Sequence, residues 1–191
     1  MGLNDSFINP TSQRADALAI APYFGGSIGD EIGTNGEIST ITVDEILDRL
    51  ETTVYTETEV WTKANSDMIA NFGFDVDLIA YEGGPHLVAN GVYQNNETLV
   101  NKLIEANRNP RMKGIILRMF DVWYSSGGQL FTGFDFIEYP SKYGSFGILE
   151  YQDQPISEAP KYSAYFDFIS SNGGIINTLS PLPPFNIRLK K

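Results

Sequence analysis

The stretch Asp77-Leu-Ile-Ala-Tyr-Glu-Gly-Gly-Pro-His-Leu-Val88 is the segment that decides the fold of this chain. An apolar run from Leu78 to Tyr81 precedes one carboxylate, Glu82, and two glycines and a proline follow it at once. A short apolar run ended by Gly-Gly-Pro is typical of a buried strand followed by an abrupt turn. Glu82 is therefore predicted to lie at the end of a strand, which in α/β barrels and open sheets is the rim that faces the substrate. The pattern alone leaves a second interpretation, a surface glutamate at a strand-to-loop junction.

Two further apolar runs are predicted to form strands. Asp16–Phe24 leads to two glycines and carries Tyr23 near its end, and Gln129–Phe136 is interrupted by Gly133. Segments with helical signals separate these runs. Strands that alternate with helices indicate α/β architecture with parallel strands. The sequence shows no repeat or linker that would divide it, so residues 1–191 are predicted to form one domain.

The segments between the strands carry signals for helix starts. A Thr-x-x-Glu pattern is a capping box, and proline is favoured at the first position of a helix. Trp61 and Trp123 fall on apolar stripes of two of these helices, which favours core packing for both. The predicted starts are at Thr42–Glu45, Thr56–Glu59, Glu97, Pro110 and Pro160.

The composition excludes several classes of protein. With 13 basic and 24 acidic residues the net charge is −11, and an acidic chain repels phosphate backbones, which argues against nucleic acid as a partner. The absence of cysteine excludes disulfides and thiolate catalysis, and the single histidine leaves no transition-metal ligand set, so no metal or cofactor is expected. No apolar run approaches the roughly 18 residues of a membrane span.

Four segments carry a resemblance to a known family: Ala19-Ile-Ala-Pro-Tyr-Phe24, Ala80-Tyr-Glu-Gly-Gly-Pro-His86, Leu130-Phe-Thr-Gly-Phe-Asp135 and Tyr143-Gly-Ser-Phe-Gly-Ile-Leu-Glu-Tyr151. In this order they resemble the C-terminal part of a (β/α)8-barrel glycoside hydrolase of the large retaining clan that includes many cellulases, xylanases and β-galactosidases. The resemblance implies a partial TIM barrel comprising approximately strands six to eight with their helices.

The same resemblance implies roles for particular residues. The nucleophile of the clan, a glutamate at the end of strand seven, falls on Glu82, and a tyrosine that often hydrogen-bonds it falls on Tyr23. Such a hydroxyl donor would stabilise the ionised carboxylate. The acid/base glutamate of the clan ends strand four, and nothing before Asp16 could supply that strand. Many members have a tryptophan at the end of strand eight, where this chain has Phe134 and Phe136.

Tyr81, His86, Phe134 and Asp135 are the candidate substrate-binding residues. Phe134 and Asp135 fall near a strand end, and an aromatic ring there can stack on the apolar face of a sugar. His86 either donates a hydrogen bond to a sugar hydroxyl or braces the structure by packing or capping. For Tyr23 the other interpretation is a buried aromatic residue at the barrel edge.

The length of the chain predicts an incomplete barrel. A barrel of this type needs about 250 residues, whereas three strand units here occupy nearly all 191. The expected partners are therefore a carbohydrate substrate and the missing N-terminal half of the barrel or a second copy of the chain. Export to an extracellular or periplasmic location is expected for the full-length family, and Met1–Ser6 has no signal-peptide pattern.

Three functional hypotheses follow. The first is a glycoside hydrolase that cleaves a β-linked poly- or oligosaccharide with retention, inactive as this chain alone because the acid/base glutamate is missing. The alternative is a non-catalytic carbohydrate-binding or interaction module derived from a hydrolase barrel. The third is a remnant without function, whose exposed apolar sheet edges would promote aggregation or dimerisation.

Overall fold

A computed structural model describes residues 15–173 and the backbone of residues 186–188. Strands and helices alternate along the chain, as the sequence predicts. In chain order the elements are β1 (Ala17–Ile20), β2 (Tyr23–Phe24), α1 (Ile28–Thr34), α2 (Val43–Thr53), a π-helical segment (Val54–Glu59), α3 (Val60–Asn71), β3 (Asp77–Ala80), β4 (Gly84–Pro85), a 3-10 turn (Gly91–Tyr93), α4 (Glu97–Arg108), α5 (Arg111–Ser125), β5 (Leu130–Thr132), a 3-10 turn (Ile156–Glu158), α6 (Pro160–Ser171) and β6 (Asn186–Arg188).

The main sheet has the order β1-β3-β5-β6. β1, β3 and β5 run parallel, with Ala17 opposite Asp77 and Ile79 opposite Leu130. This arrangement confirms the predicted α/β class with parallel strands. β6 was not predicted, and it pairs with β5 in the antiparallel direction. Within the described part of the chain, β1 has a strand neighbour on one side only.

The predicted strand over Asp16–Phe24 is divided in two. Because proline has no N–H to donate to a strand ladder, Pro22 separates β1 from β2. β2 then pairs in parallel with β4, so that Tyr23 lies opposite Gly84. This two-stranded sheet lies beyond the ends of β1 and β3 in the chain direction, and it carries the candidate site.

Part of the core lies between the main sheet and the pair α5 and α6, and the same cluster continues through buried residues of α1, α2 and α4. The ring of Phe120 on α5 packs against Phe131 of β5 at 5.5 Å between centroids, and against Tyr165 and Phe168 of α6 at 4.9 and 4.5 Å. Trp123 is fully buried beside Phe131, which confirms its predicted core position. This packed aromatic layer supports β5, the strand next to β3 in the main sheet.

The starts of α2, α4 and α6 agree with the sequence signals, and Pro110 directly precedes α5. In the capping box at the start of α2, the Thr42 hydroxyl accepts from the backbone N–H of Glu45, whose carboxylate accepts from Thr42 in return. The predicted start at Thr56–Glu59 is wrong. The chain there is already helical, and it continues from α2 through the π-helical segment into α3.

The prediction that Trp61 packs in the core is also wrong, because this residue is 45% exposed. Among the described residues, α3 fully buries only Thr62, so most of its surface faces solvent. An apolar stripe is buried only where another element covers it, and no sequence pattern reports that covering element.

Candidate functional site

Glu82 lies in the link between β3 and β4. The ladder between β1 and β3 extends one residue past β3, because the Tyr81 N–H donates to the Ile20 carbonyl at 3.1 Å. Glu82 follows directly and is half-buried. The prediction that this carboxylate ends a strand is therefore confirmed at the level of the backbone.

The two glycines after Glu82 are required by the close approach of the backbone to its neighbours. A Cβ on Gly83 would stand 2.9 Å from the Phe131 ring and 3.2 Å from Pro22, and Gly84 adopts φ +140°. The Gly83 carbonyl also accepts from the Phe134 N–H at 3.1 Å. The Gly-Gly pair thus lets the chain after Glu82 press against β5, which brings the rim residues of the three parallel strands together.

The structure brings Tyr23 and Glu82 into contact through a hydrogen bond between the phenol and the carboxylate. The pKa of Tyr23 is raised well above its ordinary value, first by burial, then by the negative charge of Glu82 and by this hydrogen bond. The phenol therefore stays protonated at all physiological pH values and acts as the donor. Smaller contributions from Tyr81 and Asp135 act in the same direction and place both near Tyr23.

Aromatic rings surround this pair. The Tyr23 ring lies 5.5 Å from His86, 6.4 Å from Phe134 and 6.3 Å from Phe146. Phe146 in turn lies 5.3 Å from His86 and 5.7 Å from Phe134. We call these three rings, with Tyr23, the aromatic collar. Offset and edge-on contacts at these distances fix ring orientations.

The candidate substrate-binding residues lie around the collar. Tyr81 and Phe134 are 56% and 42% exposed, so their rings can contact a ligand. Asp135 follows a cis peptide bond with Phe134, and it exchanges backbone hydrogen bonds with the loop at Phe146 and Ile148. Its carboxylate accepts from the N–H of Phe136. All the site residues predicted from the sequence therefore lie in one region.

His86 forms one wall of the collar and is half-buried. Its backbone N–H donates to the Phe24 carbonyl at 2.8 Å, which continues the pairing of β4 with β2. Burial lowers the pKa of His86 below its ordinary value, and the negative charge of Glu57 acts in the opposite direction. The imidazole is therefore mostly neutral at neutral pH, with one nitrogen able to donate and the other able to accept.

Sequence reasoning missed two residues of the site. Phe146 lies in the fourth segment of the resemblance, Tyr143–Tyr151, for which no site role was predicted. Its flanking Ser145 and Gly147 were the available signal of a loop. Glu57 lies in the π-helical segment, and its carboxylate accepts from the Gly25 N–H at 2.9 Å. No local pattern marks that contact, which joins residues 32 positions apart.

The chemistry available here is that of a carboxylate with a fixed hydroxyl donor beside aromatic surfaces. Among residues 15–173, no group of three or more histidine, aspartate or glutamate side chains could hold a metal ion. In the same part of the chain no helix is long and apolar enough to cross a membrane. Such a carboxylate can act as a nucleophile or a base, and the rings can bind the apolar face of a sugar.

Comparison of this chain with protein-family models, with curated proteins and with solved structures finds no match in any of the three.

Proposed function

We propose that this chain is part of a retaining glycoside hydrolase that acts on a β-linked poly- or oligosaccharide, with Glu82 as its nucleophile. The observation that carries the proposal is the hydrogen bond from Tyr23 to Glu82 at the ends of adjacent parallel strands. A nucleophilic carboxylate must be held still and oriented toward the anomeric carbon, and a phenol that remains protonated does this without adding charge.

The same proposal assigns β1, β3 and β5 to strands six, seven and eight of a TIM barrel. It is supported by the parallel order of these strands and by the position of Tyr23, Glu82 and Phe134 just after them. Within the described residues the outer edge of β1 is open, and Ala19 on it is exposed. On this proposal the rest of the barrel, or a second copy of the chain, pairs with that edge.

The reaction proceeds in two balanced steps. A carboxylate oxygen of Glu82 forms a bond to the anomeric carbon, and the bond to the leaving oxygen breaks, with its electron pair staying on that oxygen. A second carboxyl group, about 5–5.5 Å from the first in retaining enzymes, gives its proton to the leaving oxygen. It then takes a proton from water, which displaces Glu82. On this proposal the second carboxyl group comes from the remainder of the barrel.

The first step can be tested on this chain alone. A 2,4-dinitrophenolate leaves without protonation, so 2,4-dinitrophenyl 2-deoxy-2-fluoro-β-glycosides of glucose, xylose, galactose and mannose require only the nucleophile. We expect a mass increase of one fluoroglycosyl group per chain, located by peptide mapping at Glu82. Glu82→Gln should abolish labelling, whereas Glu105→Gln, an exposed glutamate on α4, should label normally. Failure of all four reagents, or labelling that persists in Glu82→Gln, would overturn the proposal.

A non-catalytic carbohydrate-binding module is the second candidate. The exposure of Tyr81 and Phe134 beside the collar favours it, because such rings bind sugars without any chemistry. This alternative predicts no covalent labelling, oligosaccharide binding that is unchanged by Glu82→Gln, and binding that is lost in Phe134→Ala. Isothermal titration with cello- and xylo-oligosaccharides separates the two candidates.

A further inference from the structure

Glu57 reaches the candidate site from a helix turn that departs from α-helical geometry. Val54 and Thr58 are the buried residues of this π-helical segment. π turns within α-helices are frequent at functional sites. Glu57, between these two buried positions along the segment, extends its carboxylate to the backbone N–H of Gly25 at 2.9 Å. A half-buried carboxylate that accepts from a backbone N–H is fixed in position.

Gly25 connects Glu57 to the strand that carries Tyr23. It directly follows β2, and it comes two residues after Tyr23. Gly25 adopts φ +79°, and a Cβ there would stand 2.4 Å from Leu50 of α2. This backbone therefore packs closely against α2, which continues into the π-helical segment that carries Glu57. The hydrogen bond from Gly25 therefore anchors the end of the strand that carries the phenol donor of Glu82.

His86 lies against the same turn. A Cβ on Gly26 would approach the His86 Nδ1 within 3.0 Å, so the imidazole packs on the backbone that Glu57 anchors. The titratable and charged groups that face His86 are Glu57 from the π-helical segment and Tyr23 from β2, while Phe146 from the loop after β5 is apolar. Glu57 is thus the charged neighbour of the imidazole.

We propose that Glu57 is a positioning residue of the candidate site: it anchors the end of β2 beneath Tyr23 and favours the charged form of His86 against the effect of burial, through which ligand binding at the collar becomes dependent on pH. The inference deepens the proposed function and rests on it for the identity of the ligand. Its physical core, the coupling of Glu57 to His86, can be measured without any sugar.

The single histidine of the chain makes this measurement direct. Only one side chain contributes imidazole proton resonances to the NMR spectrum, so a titration between pH 4 and pH 8 reports His86 alone. Burial lowers the pKa of His86 and the charge of Glu57 raises it. Glu57→Gln should therefore move the midpoint to lower pH, because it removes the one negative charge that favours the imidazolium. In the wild type, 1 M NaCl should move it in the same direction by a smaller amount.

Two variants make the outcome decisive. Glu59 lies in the same segment, but its carboxylate pairs with Lys63. In Glu59→Gln the titration midpoint of His86 should therefore stay at the wild-type value. Glu57→Asp keeps the charge and should restore most of the shift. A midpoint that is unchanged in both Glu57→Gln and high salt overturns the proposal, and the salt arm gives this answer even if Glu57→Gln does not fold.

The same variants are then labelled with the fluoroglycosides across pH. The acid limb of the labelling rate should follow the midpoint of His86 and move with it in Glu57→Gln. If no glycoside labels the chain while the NMR midpoint moves, the proposed function fails and the Glu57–His86 coupling stands. If labelling occurs but its pH profile is the same in Glu57→Gln and in wild type, the positioning role fails and the hydrolase proposal stands.

Discussion

The Tyr23 phenol and the Glu82 carboxylate are hydrogen-bonded although 59 residues separate them in the sequence. They meet because β1 and β3 are adjacent parallel strands, and each residue follows the end of its strand within three positions. Parallel strands bring their carboxyl ends to one edge of the sheet, so two side chains that are distant in the chain can form a single chemical unit.

Tyr23→Phe should slow labelling of Glu82 while leaving the fold intact. The change removes only the hydroxyl that orients the carboxylate, and a hydrogen bond to a charged group is worth about 1.5–3 kcal/mol, equivalent to roughly a 10- to 150-fold change in rate. The rate of dinitrophenolate release measures the effect, and circular dichroism checks the fold. Tyr143→Phe alters a tyrosine that is 65% exposed and should react like the wild type. Equal rates in the two variants would remove Tyr23 from the site.

Phe146→Ala should weaken ligand binding while reducing the stability of the fold only moderately. This ring contacts three members of the collar, so its loss frees Phe134 and His86 to change orientation. Because Phe146 is only half-buried, the free energy of unfolding should fall by about 1–2 kcal/mol. Oligosaccharide affinity or labelling rate should fall at least about tenfold, the effect of 1.4 kcal/mol.

The matched control for that ring is Phe72→Ala. Phe72 is 51% exposed and stacks on Phe74, outside the collar. Phe72→Ala should leave the oligosaccharide affinity and the labelling rate unchanged. A comparable loss in both variants would mean that any aromatic deletion disturbs the chain, and the special role of Phe146 would be withdrawn.

The sequence predicts those features that depend on neighbouring residues in the chain. The capping box at Thr42 and Glu45 and the proline at the start of α6 are signals complete within four residues, and both helix starts are correct. The end of β3 is also close to its predicted position, although Gly84–Pro85 form β4 rather than the predicted turn. The candidate site assembled from the sequence follows from the same rule, applied to three strand ends.

What the sequence does not predict depends on contacts across the fold. The π-helical segment places Glu57 against Gly25, and neither residue carries a local sign of the other. The Thr-x-x-Glu pattern at residues 56–59 also matches a capping box, so the local signal there was misleading. Trp61 is exposed because nothing in the described chain covers its side of α3, which depends on tertiary packing rather than on periodicity.

Gly83→Ala should destabilise the fold at the link that presents Glu82. The added methyl group would stand 2.9 Å from Phe131, a buried ring that Trp123 and Phe120 hold in place. Overpacking of this kind costs about 1–3 kcal/mol, which urea unfolding measures. Gly114→Ala on the exposed face of α5 meets no atom within 4 Å, so it should stabilise the helix by about 0.5–1 kcal/mol. The same sign for both variants would contradict the packing argument.

Lys161 provides a test of pH dependence away from the candidate site. Its side chain is buried near the start of α6, and its ammonium group donates to the Ser145 carbonyl. Burial lowers the pKa of Lys161 to about 7, against the opposing charges of Glu138 and Glu150. The ammonium form is therefore tolerated less well in the folded chain than in the unfolded chain, where the ordinary value is 10.5.

Stability should consequently rise with pH between about 7 and 10.5. In that range the unfolded chain binds the Lys161 proton and the folded chain has released it, so raising the pH favours the folded state. Below pH 7 both states carry the charge and the full penalty, on the order of a few kcal/mol, remains. Above about pH 9.5 the phenols of Tyr23, Tyr124 and Tyr165, whose pKa values are raised, act with the opposite sign. Urea unfolding at pH 6.5 and pH 9 should show a gain for the wild type that is absent in Lys161→Met and retained in Lys63→Met, an exposed lysine. An equal gain in Lys161→Met would assign the pH dependence to other groups.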